Sequence, residues 1–348
     1  MKTLALGIAL LFFATAASAA QVITSITPSS GPVTGGTQVT IRGSGLSFEC
    51  AEPCQQEPGI YFGVFGDIPA ASQTLVDSTT IIATTPPGFP GDAAVQLYVG
   101  GNIRFVIAPA AFTYVGDARD AFEPLMLPIL SRPAHGAFGA TFVSSLNMWT
   151  PGPGALTVYG VGIDPLAPIG GTPTFPLTTV LTSTTPQRTD LPPVGDPGWV
   201  IWIPKGSRER LAASLRVMEV TRELPTMGTS IPIVPEGDFR SGAFALLDLP
   251  ANDPHFRSTL RVYSLDSGAS VHVRAVRLDG KVTYAETDLT LTDPSFVFFV
   301  PFDPGYAQYA LPAAADRVEI TPNEGHRVWA FVTITQNETQ HITVVAPN

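Results

Sequence analysis

Cysteine is almost absent from this 348-residue chain, which contains only Cys50 and Cys54. Two thiols exclude a multi-disulfide scaffold and a four-thiolate zinc site. Charge is scarce too: Asp, Glu, Lys and Arg make up 14% of the residues, against a usual ~25%. That leaves little material for long surface helices laced by ion pairs. Positive charge is the scarcer sign, with 19 Lys+Arg against 29 Asp+Glu and a formal net charge of −10. Nucleic acid and anionic lipid are therefore excluded as attractive partners. Past the first twenty residues no apolar run approaches 18 residues, so no later segment reads as a spanning helix. The apolar runs Trp199 to Ile203 and Phe296 to Phe302 are strand-sized.

Glycine and proline, in contrast, are abundant: 32 Gly and 34 Pro are close to a fifth of the chain. The share stays below the roughly 25–30% that marks disorder, and 45% hydrophobic residues suffice for packed cores. Many turns, few charges and short apolar runs together predict an all-β protein.

The first residues read as an address. Lys2 gives a positive start, Leu4 to Phe13 a short apolar stretch, and Ala17-Ser18-Ala19 a small-residue cleavage site. Residues 1–19 are thus a signal peptide, placing the mature chain in a periplasm, outside the cell or at its surface, with no stable membrane insertion after cleavage. In that compartment an even pair with three residues between its members, Cys50 and Cys54, favours a disulfide stapling one irregular loop over a redox or metal role.

Along the chain, residues 21–115 carry a distinctive run. Pro28, Gly31 and Gly35-Gly36-Thr37 precede an alternating strand, Gln38-Val39-Thr40-Ile41, followed by Gly43-Ser44-Gly45. Tyr61-Phe62-Gly63, Ile81 to Pro87 and Gly91 to Val99 continue the strand-turn rhythm. This segment resembles the IPT/TIG domain, which implies an immunoglobulin-like sandwich. Similar domains occur in cell-surface receptors, as spacers beside bacterial carbohydrate-active enzymes and in certain transcription factors. Export and acidity disfavour the last use. The segment from Ser47 to Pro58 departs from the shortest form of the domain by inserting the cysteine loop.

The remainder repeats itself. Ser144 to Trp149 and Gly154 to Tyr159 match Ser258 to Tyr263 and Gly268 to Val273; Pro197 to Pro204 matches Pro294 to Pro301; Ser230 to Pro235 matches His341 to Pro347. Matches in one order at a spacing of about 110 residues indicate duplication. Residues 120–235 and 236–348 are expected to be two copies of an antiparallel β-sandwich, three tandem sandwiches in all. This tandem arrangement resembles that of exported bacterial proteins of no assigned activity. Within the second copy Asp279-Gly280 predicts a two-residue hairpin turn pairing Val276 with Thr283. Ser207 to Glu219 has helical spacing at Leu211, Leu215 and Met218, but alternates from position 214 onward, where a strand is expected.

No nucleophile-elbow string, close-spaced histidine pair, calcium loop or phosphate-binding glycine loop occurs, and no cofactor is expected. The four tryptophans offer sugar-stacking rings, yet Trp149, Trp199, Trp202 and Trp329 sit mostly among apolar neighbours and read first as core. Strand alternation places Arg261, Tyr263, His272, Arg274 and Lys281 on outward faces, a candidate basic strip for an anionic polymer whose plain alternative is a solvated sheet face. The functional expectation is an exported, non-catalytic binding or scaffold protein recognising extracellular polysaccharide or a surface protein. Its rivals are a carbohydrate hydrolase or lyase using carboxylates that leave no sequence trace, and a structural subunit of a surface assembly. Asn337-Glu338-Thr339 has the glycosylation pattern but reads as a strand-end turn.

Overall fold

The computed structural model describes residues 21–48, 59–63, 68–99, 104–128, 134–159, 178–181, 187–189, 198–221, 228–266, 268–292 and 305–347. The expected signal peptide, both cysteines and the segment Pro294 to Pro301 lie outside them. The described residues form β-strands and short 3-10 turns, with no α-helix among them. The chain divides into two compact units: Met1–Gly63, Ile68–Pro87 and Gly91–Val115 in one, and Val64–Asp67, Gly88–Pro90 and Gly116–Asn348 in the other.

The first unit contains β1 (Val22–Thr27), β2 (Ser30–Pro32), β3 (Gln38–Ser44), β4 (Gly59–Gly63), β5 (Ile68–Pro69), β6 (Ser72–Asp77), β7 (Thr80–Thr84), β8 (Gly91–Val99) and β9 (Arg104–Val115). One sheet has the order β1-β3-β7-β6, the other β2-β9-β8-β4-β5. Among the described residues only β2 and β9 pair in parallel. Splitting the first strand between two sheets in this way gives the immunoglobulin-like sandwich. Alternation in β3 buries Val39 and Ile41 fully, as period two requires. Gly35 is needed where it stands: its φ is +73°, and a Cβ there would lie 2.5 Å from the Pro86 carbonyl carbon.

The second unit holds two sandwiches. The earlier one uses β10 (Phe122–Pro128), β11 (Ala134–His135), β12 (Thr141–Trp149), β13 (Leu156–Tyr159), β14 (Thr178–Leu181), β15 (Gln187–Thr189), β16 (Gly198–Pro204), β17 (Ala212–Glu219), β18 (Thr229–Ile231) and β19 (Val234–Pro235). The later one uses β20 (Phe244–Leu246), β21 (Phe256–Ser264), β22 (Ser270–Val276), β23 (Thr283–Thr290), β24 (Gly305–Ala310), β25 (Arg317–Pro322), β26 (Val328–Gln336) and β27 (Ile342–Val345). Their strand orders coincide over four strands in each sheet, with β11 and β19 additional in the earlier one. The sheet β14-β13-β16-β10 has its counterpart in β23-β22-β25-β20. The path β15-β12-β17-β18 has its counterpart in β24-β21-β26-β27.

This equivalence corrects one expected match. Pro197 to Pro204 contains β16, and the strand in the same sheet position is β25, Arg317–Pro322, rather than Pro294 to Pro301. The physical reason is burial. Val200, Ile201, Trp202 and Ile203 of β16 are all buried, whereas β25 alternates buried Val318 and Ile320 with more exposed Arg317, Glu319 and Thr321. Similar topology therefore carries dissimilar hydropathy. The segment Ser207 to Glu219 is a 3-10 turn at Arg208–Arg210 followed by β17, which begins two residues before the expected strand.

The core of the last sandwich is one cluster that includes Leu260 and Val262 of β21, Val271 and Val273 of β22, Val318 and Ile320 of β25, and Val328, Ala330 and Val332 of β26. Each buried aliphatic side chain of this kind stabilises the fold by about 1.5–3 kcal/mol relative to exposure. β26 is buried on both faces from Val328 to Thr335. Its second face, Trp329 and Phe331, joins Tyr263 and Tyr306 in an aromatic cluster with centroids 5.1–6.2 Å apart.

Candidate functional site

Four of the five residues of the expected basic strip separate onto two sheets, and the fifth, Lys281, lies on neither. In β21, Leu260 and Val262 face the core and Arg261 and Tyr263 face away from it. In β22, Val271 and Val273 face the same core, so His272 and Arg274 point outward on the opposite side of the sandwich. Lys281 belongs to neither face. It lies in the β22–β23 connection, where its backbone N–H donates to Asp279 Oδ1 at 2.9 Å.

That connection is wider than the expected two-residue turn. Arg277 N–H donates to the Val282 carbonyl at 2.9 Å, and residues 278–281 lie outside the strands. Val276 does pair with Thr283, but a register shift between Ala275 and Val276 follows, so that Arg274 opposes Glu286 and His272 opposes Asp288. Alternation and turn chemistry were legible; the extra residue of the bulge was not, and it decides which charges meet. Asp279 caps the turn. It takes two hydrogen bonds from Arg277, at 3.0 and 2.6 Å, and this pairing lowers the Asp279 carboxyl and raises the Arg277 guanidinium.

The outward face of the β22 sheet is consequently a matched ladder. His272 Nδ1 lies 2.7 Å from Asp288 Oδ1 and Nε2 lies 2.9 Å from Glu286 Oε1. Arg274 Nη1 donates to Glu319 Oε2 at 2.8 Å and Nη2 to Thr283 Oγ1 at 3.1 Å. Arg317 pairs with the same Glu319. Two residues of the expected strip, His272 and Arg274, thus meet Glu286, Asp288 and Glu319, which spacing alone did not bring together.

On the other side, Tyr263 is 1% exposed and is a cluster member rather than a surface ring. A Cβ on Gly198 would lie 2.7 Å from Met126 Cε and 3.1 Å from Tyr263 Cε1, so glycine lets this ring approach the earlier sandwich. Arg261 is half-buried and bonds Thr333 Oγ1. It opposes Gln308 of β24, and Tyr306 lies two pairs further on, opposite Tyr263, with its O–H donating to Gln308 Oε1 at 2.7 Å. Of the tryptophans, Trp202 and Trp329 are buried and Trp149 is half-buried; the Trp199 side chain is outside the described part. Asn337 is tied on both sides of its amide, accepting from Arg257 at 2.8 Å and donating to the Pro254 carbonyl at 2.8 Å.

A further charged group escaped the sequence reading. Glu236 stands in the 3-10 turn Glu236–Asp238 between the two sandwiches, with its side chain 16% exposed. Arg119 Nε, from the turn Ala118–Asp120, reaches both carboxylate oxygens at 2.9 and 3.0 Å. Arg327 Nη2, from the approach to β26, reaches Oε1 at 2.7 Å. Thr229 of β18 also donates to the Ile342 carbonyl of β27. One carboxylate thus ties together residues some two hundred positions apart. Among the described residues no group of three or more His, Cys, Asp or Glu could hold a metal ion. No helix among them is long and apolar enough to cross a membrane.

Comparison with known proteins adds one assignment. No curated protein matches the chain. Among solved structures, one described as having a xylogluco-oligosaccharide is 9% identical, covering 95% of this chain and 80% of its own, with a TM-score of 0.20. InvD of Yersinia pseudotuberculosis is 8% identical, covering 94% and 97%, with a TM-score of 0.18. Those scores are too low for either likeness to carry an argument. The IPT/TIG domain family matches residues 22–114, the stretch that supplies the nine strands of the first sandwich. Residues 22–114 of this chain are an IPT/TIG domain.

Proposed function

We propose that this chain is an exported, non-catalytic binding or scaffold protein of the cell surface or periplasm, recognising extracellular polysaccharide or protein. The observation that supports the reading is the joining of two sandwiches of one strand order within a single compact unit, through Glu236 and the Tyr263 cluster. Such a body presents several flat sheet faces at fixed spacing. It suits recognition of an extended ligand better than enclosure of a small one.

The pairing of His272 and Arg274 with carboxylates removes the reason to prefer an anionic polymer. A neutral polysaccharide or a protein surface fits better, and the row Arg261, Gln308 and Tyr306 is the face on which to look for contact. The test is binding of the mature chain to neutral and acidic polysaccharides and to cell-wall fractions, with turnover measured in the same mixtures. Retention on a neutral polymer or a protein, weakened by R261A and untouched by R274A, is expected. Release of shortened product would establish the hydrolase or lyase instead. Retention only on acidic polymers, lost in R274A, would restore the basic strip.

A further inference from the structure

Among the described residues β23 is an edge strand, pairing with β22 and with no other strand of its sheet. Its outward residues include Glu286 and Asp288, two positions apart and therefore on one face. Opposite them stands one imidazole whose two ring nitrogens both lie within hydrogen-bond reach, Nδ1 at 2.7 Å from Asp288 and Nε2 at 2.9 Å from Glu286. The chemistry of this arrangement is restrictive. A neutral imidazole has a single N–H, and an ionised carboxylate only accepts, so both contacts form together only when His272 carries a proton on each nitrogen.

We propose that His272 is a pH-operated clasp that holds the edge strand β23 onto β22, closed when the imidazole is doubly protonated and loosened when it is neutral. The charges facing it set the balance. From β23 come Glu286 and Asp288; from β25 come Glu319 and Arg317, with Thr321 directly opposite His272; from β22 itself comes Arg274, which reaches Glu319 and approaches Glu286 at 3.9 Å. With His272 protonated, three cations meet three anions. With it neutral, two cations remain for three anions, and one of the adjacent β23 carboxylates loses its hydrogen-bond partner. The Asp288 hydrogen bond, ahead of that to Glu286, raises the imidazole above its ordinary value, which agrees with the geometry. Loosening would uncover the pairing edge of β22, a template for another strand.

β23 adds only the partly buried Ala285 and Leu289 to the sandwich core and none of its fully buried members, so opening is local to one strand. The mature chain would be followed by NMR of its five histidines, with H272Q assigning the resonance, and by amide exchange of residues 283–290 between pH 5.5 and 8, corrected for the intrinsic rate. His272 is expected to titrate above the ordinary ~6.5. Protection of β23 should fall about two- to five-fold across that titration, the range that exposed ion pairs deliver. H272R, charged throughout, should keep the acid-side protection at both pH values, and H272Q should show the neutral-side protection at both. Equal pH dependence of β23 protection in wild type and H272Q would overturn the proposal, as would a change spread evenly over β24–β27.

Discussion

The two sandwiches of the second unit share a strand order and differ in almost everything their sheets show to the outside. In the earlier one, β10 and β16 are buried on both faces from Leu125 to Leu127 and from Val200 to Ile203. In the later one, the equivalent sheet buries one face and covers the other with His272, Arg274, Arg317 and their carboxylates. Topology is therefore indifferent to the chemistry of the outer faces, which follows from what each face packs against. A strand covered on both sides reads as a continuous apolar run, and its counterpart in solvent reads as an alternation.

The contrast can be broken most forcefully at the aromatic cluster. Tyr263→Ala removes a ring that is 1% exposed, and should cost about 3 kcal/mol or more in denaturant unfolding. A loss near zero would mean that the face is not packed. Next comes Glu236→Gln, which leaves Arg119 and Arg327 without their shared carboxylate. Because both arginines keep some access to water, about 1–3 kcal/mol is expected, and limited proteolysis should then separate the two sandwiches earlier than in wild type. Arg274→Ala on the solvated ladder should cost ~1 kcal/mol or less; a larger loss would mean that the ladder carries more of the later sandwich than its exposure suggests.

The smallest effect concerns pH. His255 and Glu338 are both exposed and joined by a 2.6 Å contact. The Glu338 hydrogen bond raises His255 above 6.5, and the reciprocal bond lowers Glu338 below 4.5. The raised histidine stabilises fully below its unfolded value and loses that contribution as pH rises through the folded one. The lowered carboxylate stabilises above its unfolded value and loses its contribution as pH falls through the folded one. Between about pH 4.5 and 6.5 both are present. Thermal melts of wild type and H255Q should therefore differ more at pH 5.5 than at pH 8.

Much of this was legible in local patterns. Alternation alone sets Val39 and Ile41 on one face of their strand, which the fold buries, and β12 and β21, like β13 and β22, hold the same places in the sheet order. The run Val200 to Ile203 misled because apolar similarity follows double-sided burial, and β25 lacks it. The candidate strip dispersed for two reasons. Strand alternation says that Arg261 and His272 face outward, but not that consecutive strands β21 and β22 belong to opposite sheets. Nor does it reveal the bulge beside Val276 that sets Asp288 against His272. Glu236 left no local sign, because its partners lie at positions 119 and 327.

Composition and short-range order by themselves determined the all-β class, which follows from turn residues and period-two alternation, while the IPT/TIG domain was legible as a resemblance carried by the run from Pro28 to Gly45. Tertiary structure alone decided which outward side chains become buried, which charges are matched and how the two later sandwiches are tied. Those outcomes depend on contacts between residues distant in the chain, where a shift of one position in register exchanges one partner for another.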